Sequence, residues 1–126
     1  MTTGVTTTLH AIAARSVDDA VVVGDDGVVL VWRDGWKRVE APLLTYRAAL
    51  RVGPVTYIAG DNGTLLRLPG GVGTTPSVAR VPLDTTCTLR ALFSRGDEVW
   101  VVGSDSGRAA VWRIVRGTVF RWGQCP

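Results

Sequence analysis

The sequence predicts an all-β protein of three tandem four-stranded units, and three observations lead to that class. A degenerate repeat of about 40 residues runs along the chain. Glycines cut each copy into short runs rich in Val, Thr, Trp, Tyr and Leu. No segment keeps apolar residues at i, i+3, i+4 and i+7 through three turns, so helices find no support.

Three segments align. They read LHAIAARSVDDAVVVGDDGVVLVWRDGWKRVEAP from Leu9, YRAALRVGPVTYIAGDNGTLLRLPGG from Tyr46 and LRALFSRGDEVWVVGSDSGRAAVWRIVRGTVFRW from Leu89, spaced 37 and then 43 residues. Each opens with a strand centred on an alanine: Ala11, Ala48 or Ala91. A second, β-branched or aromatic strand ends at Gly24, Gly60 or Gly103. A tight turn follows, in which Asp26-Gly27 and Asn62-Gly63 tolerate the positive φ angles of a two-residue hairpin loop. The third copy, Ser104-Asp105-Ser106-Gly107, is one residue longer, and a bulge or wider loop is expected there. Five residues after the turn glycine, Trp32, Leu68 and Trp112 close the third strand; fourth strands are expected near 36–41, 77–82 and 117–122. Four short strands per repeat of this length is the pattern of a β-propeller blade. The predicted blades span about 8–42, 45–83 and 88–123, within one module covering 1–126.

The phrases VVVGDDGVVLVWRDGWKRV and LRALFSRGDEVWVVGSDSG resemble the repeats of bacterial propellers of the photosystem II assembly-factor type and of the BNR, or Asp-box, group. The resemblance covers nearly the whole chain. It departs from the strict Ser-x-Asp-x-Gly-x-Thr-Trp box: Ser104, Ser106 and Gly107 approach it, but Trp112 comes five residues after Gly107. A sialidase-type activity is therefore not implied. The resemblance implies the fold and a binding or assembly role, without naming a ligand.

Composition narrows the classes further. With 46% hydrophobic and 20% charged residues in 126, the chain is expected to fold as an ordinary globular unit. No run approaches the ~18 apolar residues of a membrane span. The stretch MTTGVTTTLHAIAARS has neither a basic leader nor a continuous apolar run, so no signal peptide or anchor is expected. The net charge is +3, but 14 basic residues are dispersed among 11 acidic ones, which argues against nucleic acid. Cys87 and Cys125 lie about one repeat apart. Equivalent points on neighbouring blades would exceed the ~7 Å Cα limit for a bridge, so free thiols are expected and the compartment stays open.

Few residues suggest chemistry. One histidine, two glutamates and no nucleophile elbow, phosphate loop or metal motif lead to a non-enzyme without cofactor or metal. Asp25, Asp26, Asp61 and Asp105 recur at turns; a hard cation needs about six converging oxygens, so these read as turn formers. Trp32, Trp100 and Trp112 sit at repeat positions that aliphatic residues also fill, the behaviour of core slots. Trp36 and Trp122, near outer strands, are open to the alternative of stacking on sugars.

The candidate binding residues are His10, Arg47 and Arg90, which recur at the second position of each first strand. Near the mouth of a propeller channel they would form a cationic ring for a small anionic ligand. The competing reading pairs each with a nearby turn aspartate. Three blades also leave two apolar flanks, and closed propellers run from about four to eight blades. Residues 1–8 and 123–126 read as linkers, so two copies would make a six-bladed homodimer. Otherwise the chain is a piece of a larger propeller that supplies the remaining blades. Val22 and Val101 are the expected flank residues. The function expected is protein or ligand binding in an assembly; the alternatives are a lectin-like propeller and, more distantly, a hydrolase remnant.

Overall fold

The computed structural model describes residues 7–16, 19–33, 35–69 and 77–125. Residues 1–6 and Pro126, assigned above to linkers, and residues 70–71, at the end of the second repeat, lie outside these. Among the described residues there is no helix, and the strands form three four-stranded antiparallel sheets. The first sheet holds β1 (Leu9–Ser16), β2 (Asp19–Gly24), β3 (Val29–Trp32) and β4 (Trp36–Arg38). The second holds β5 (Tyr46–Val52), β6 (Val55–Gly60), β7 (Leu65–Pro69) and β8 (Ala79–Val81). The third holds β9 (Leu89–Arg95), β10 (Glu98–Asp105), β11 (Arg108–Val115) and β12 (Thr118–Gly123). Each is a meander, with neighbours in space following the order of the chain.

The sheets stack in series, with β5 beside both β1 and β9. Period-2 alternation sends successive residues of a strand to opposite faces. Val21, Val23, Val29, Val31 and Val39 of the first sheet therefore meet Tyr46, Ile58, Leu66 and Leu68 of the second. The other face of the second sheet, with Ala59 and Leu65, meets Leu89, Val99, Val101, Ala110, Trp112 and Ile114 of the third. Adjacent residues such as Ile58 and Ala59, or Leu65 and Leu66, thus serve different cores. Among the described residues only the middle sheet is packed by another sheet on both faces.

The outer strands β4 and β8 are three residues each, shorter than the sequence suggested. After Arg38 the chain leaves the strand to bury Val39, and Pro82 has no N–H to extend β8. Tyr46 is fully buried; its hydroxyl donates to the Pro42 carbonyl at 2.7 Å, and burial pushes its pKa up to about 12.

All three central hairpins close through two residues of positive φ: Asp26 and Gly27 (58°, 73°), Asn62 and Gly63 (56°, 63°), Ser106 and Gly107 (51°, 78°). The bulge falls opposite to expectation. In the first two sheets Gly24 and Gly60 donate to the carbonyls of Val28 and Thr64, at 3.1 and 3.0 Å, leaving Asp25 and Asp61 as extra residues. In the third, Ser104 pairs with Ala109 and Asp105 with Arg108, so the ladder runs unbroken to the turn. The additional residue lengthens β10 instead of widening the loop.

This shift changes which positions correspond. Val22 pairs with Leu30, Ile58 with Leu66 and Val101 with Trp112, so Trp112 holds the place of Leu30 and Leu66. Ile114, paired with Val99, stands where Trp32 and Leu68 do. Counting from the turn glycine misplaced Trp112 by two residues. A second correction concerns Val101, which is no flank residue: it points back into the core shared with the second sheet and is fully buried. Val22 points the same way, but among the described residues no sheet packs on that face of the first sheet.

Candidate functional site

Two features stand out, one at the turns and one on the free face of the third sheet. The turns are built first by the backbone. The carbonyls of Thr8, Thr45 and Thr88 accept the N–H of Asp25, Asp61 and Ser104 at 2.9, 3.0 and 3.0 Å. That approach excludes a side chain at the preceding residue: a Cβ on Gly24 or Gly60 would lie 2.2 or 2.3 Å from the threonine oxygen. Gly27 and Gly63 then donate to the carbonyls of Leu44 and Cys87, both at 2.8 Å, tying each turn to the segment leading into the next sheet.

The predicted site residues sit on this scaffold. His10 Nε2 lies 2.7 Å from Asp25 Oδ1, and Arg47 Nε donates to Asp61 Oδ1 at 2.8 Å. Arg90 Nε donates to Ser104 Oγ at 2.8 Å and to its carbonyl at 3.2 Å, a serine standing where the other repeats carry aspartate. Thr45 Oγ1 also donates to Asp25 at 3.1 Å, which joins the first and second sheets. The hydrogen bond from His10 holds the Asp25 carboxyl below its ordinary value, against some opposing burial, with Thr45 helping. Each of His10, Arg47 and Arg90 is engaged within its own sheet; among the described residues no hydrogen bond or ion pair joins one to another. Exposed pairs of this kind add little stability and serve here to fasten turns. Thr8, Thr45 and Thr88 recur too, in Thr-Leu-His, Thr-Tyr-Arg and Thr-Leu-Arg, each one residue ahead of the repeats that open at Leu9, Tyr46 and Leu89.

The second feature is aromatic. On the outward face of the third sheet, Phe93 stacks on Trp100 with centroids 5.7 Å apart, and Trp100 on Trp122 at 6.1 Å. Cross-strand register explains the row, since Phe93, Trp100, Arg113 and Phe120 are successive partners on β9, β10, β11 and β12. The Arg113 guanidinium lies over Trp100 and Phe120 at 5.6 and 5.8 Å and is hydrogen-bonded to Glu98, whose carboxyl it holds below the usual value. Phe93, Phe120 and Trp122 are 48%, 44% and 52% exposed. Beside them opens a cleft of about 580 Å³ lined by Arg95, Asp97, Glu98, Trp100, Arg113 and Trp122.

The tryptophans divide accordingly. Trp112 alone is a fully buried core residue. Trp32, edge-to-face with Trp36 at 5.2 Å, lies on the outward side of the first sheet, and Trp100 lies on that of the third. Both are half-buried where a core slot was expected, because no sheet packs on those faces among the described residues. On the first sheet's outward side Ile12 is 63% exposed while Val22 and Leu30 are enclosed, so the third sheet has the more open flank.

The cysteines overturn an expectation. Cys87 and Cys125 form a disulfide with Cα atoms 5.7 Å apart, buried beside Leu83 and Leu89, and no free thiol is left. They are not equivalent points on neighbouring sheets: Cys87 precedes β9 and Cys125 follows β12, so the bridge joins the segments that enter and leave one sheet. Among the described residues no cluster of three or more His, Cys, Asp or Glu could hold a metal ion, and no helix is long and apolar enough to cross a membrane. No family model, curated protein or solved structure matches the chain.

Proposed function

We propose that the chain is a non-enzymatic binding and assembly module, that its three sheets are blades of the β-propeller type its repeats resemble, and that two copies close a six-bladed ring. The observation that carries this reading is the placement of the tryptophans. Four of the five, Trp32, Trp36, Trp100 and Trp122, lie on the two end faces of the stack. Tryptophan is enriched in buried interface centres, and a contiguous exposed apolar face is unusual on a monomer. The serial packing supplies the geometry. The face that carries Trp100 and Val102 corresponds in register to the face of the second sheet that carries Tyr57 and Ala59, which is covered by the next sheet. The first sheet of a second copy is the surface built to follow it.

A test follows from the corrected register. Val102→Glu places a charge on the outward face of the third sheet, and Ile12→Glu does so on the first, beside its cross-strand partner Val22. Both should dissociate the assembly in sedimentation velocity, whereas Arg90→Ala should not. Assembly unchanged in both charge variants would sink the closure.

One feature favours a second, carbohydrate-binding reading: the stacked Trp100 and Trp122 line one cleft together with Arg95, Asp97 and Glu98. Glycan-array binding that disappears in Trp122→Ala would put that reading first. No glycan binding would leave the assembly role alone.

A further inference from the structure

We infer that the folded chain resides in an oxidising compartment, outside the reducing cytosol. Three observations lead there. The chain has two cysteines, and both are consumed in one bond, leaving no thiol exposed to oxidation. The partners come together over 38 residues of sequence, which makes a chance contact of near neighbours an inadequate explanation. The bond is also built into the packing. Both residues are within 2% of complete burial, and they lie in the core shared by the second and third sheets with Leu65, Leu83, Leu89 and Trp112.

The surroundings show what the bond does. Thr85 Oγ1 accepts the Cys87 N–H at 3.1 Å, and the Cys87 carbonyl accepts the Gly63 N–H at 2.8 Å, which fixes the segment before β9 on the turn of the second sheet. The Gln124 N–H donates to the Ala109 carbonyl at 2.9 Å, which brings the end of β12 back toward β11. The disulfide joins these two anchored segments and so holds the most exposed strand, β12, to the core. The corresponding residue before β5, two positions ahead of Tyr46, is Leu44, so the cysteines answer a need of the third sheet and are not part of the repeat. Reductant cannot reach either sulfur without opening this core, and glutathione-type buffers of the cytosol act before the core forms. A chain of this design is made where the bond forms during folding. The bond closes within one protomer, so residence in such a compartment does not depend on ring closure.

The test compares the full chain produced in a reducing cytosol with the same chain exported to an oxidising compartment. Both are denatured in N-ethylmaleimide and weighed by mass spectrometry. The exported protein should carry no adduct, and the cytosolic protein should carry two, with at least tenfold less soluble material and a thermal midpoint at least 10 °C lower. Two adducts on the exported protein would overturn the inference. So would a cytosolic protein with two free thiols and an unchanged midpoint, because the bond would then be dispensable.

Discussion

Replacing Gly60 by alanine should be far more damaging than its single methyl group suggests. An ideal Cβ there would lie 2.3 Å from the Thr45 oxygen and 3.0 Å from the Tyr46 Cα, where ordinary contact begins at 3.4 Å. The two strands would have to part by about 1 Å, stretching the 3.0 Å bond from the Asp61 N–H to that oxygen beyond hydrogen-bond range. An unmade backbone bond costs about 1–3 kcal/mol and overpacking about as much again, so a loss of roughly 2–6 kcal/mol is expected. Gly53→Ala is the control. It meets nothing within 4 Å, and its φ of +57° carries only the strain of a left-handed residue, about 1 kcal/mol. Urea unfolding followed by tryptophan fluorescence separates the two: with a slope of roughly 2 kcal/mol/M, the Gly60→Ala midpoint should fall by roughly 1–3 M. A Gly60→Ala midpoint no lower than that of Gly53→Ala would refute the argument that close approach, and not conformation, demands the repeated glycine.

Three further outcomes are expected. Trp112→Ala, in the closed core, should lose about 3–5 kcal/mol of stability in the same assay, while Trp122→Ala should change the stability of a separated protomer by less than about 1 kcal/mol. Serine at both Cys87 and Cys125 should lower unfolding free energy by about 4 kcal/mol, the chain entropy of a loop closed over a separation of 38 residues. In His10→Ala the Asp25 carboxyl should titrate closer to its ordinary 3.8 in an NMR pH series, having lost its main hydrogen-bond donor. The sign is that of a depressed acid: Asp25 contributes stability above its unfolded value and loses it as pH falls through the lower folded one. The variant should therefore unfold at a higher pH on acidification, and an unmoved Asp25 titration would contradict the His10 contact.

What the sequence disclosed and what it hid have separate physical causes. The strands around Val21, Tyr57 and Trp100 were legible because each is bounded by a glycine, required by the Thr8 and Thr45 carbonyls at Gly24 and Gly60 and crowded by the Trp112 ring at Gly103, and by a turn that needs positive φ. The facing of each strand was not legible from one repeat alone. Val22 and Val101 hold the same register position, yet one lies on an end face and the other in a core, because burial depends on which sheet follows which. Trp112 was misaligned because the turn glycine marks the end of the hairpin, while the ladder register is set by whether Asp25-like residues bulge. The cysteine pair was hidden because a distance between equivalent repeat positions does not apply to residues in the segments that enter and leave one sheet, beside the same row of its strands. The aromatic row of Phe93, Trp100, Phe120 and Trp122 was not legible, because it depends on cross-strand register that sets residues from three strands side by side. His10, Arg47 and Arg90 were found as a periodic set, and their partners Asp25, Asp61 and Ser104 follow from the same period.

The most direct test of the central claim, that the stacked sheets are completed by a second copy, is the mass of the native chain at micromolar concentration in sedimentation equilibrium. A single species at twice 13.4 kDa is expected, with Trp122 protected from solvent quenchers. A stable, well-folded monomer at 13.4 kDa with Trp122 fully quenchable would contradict it.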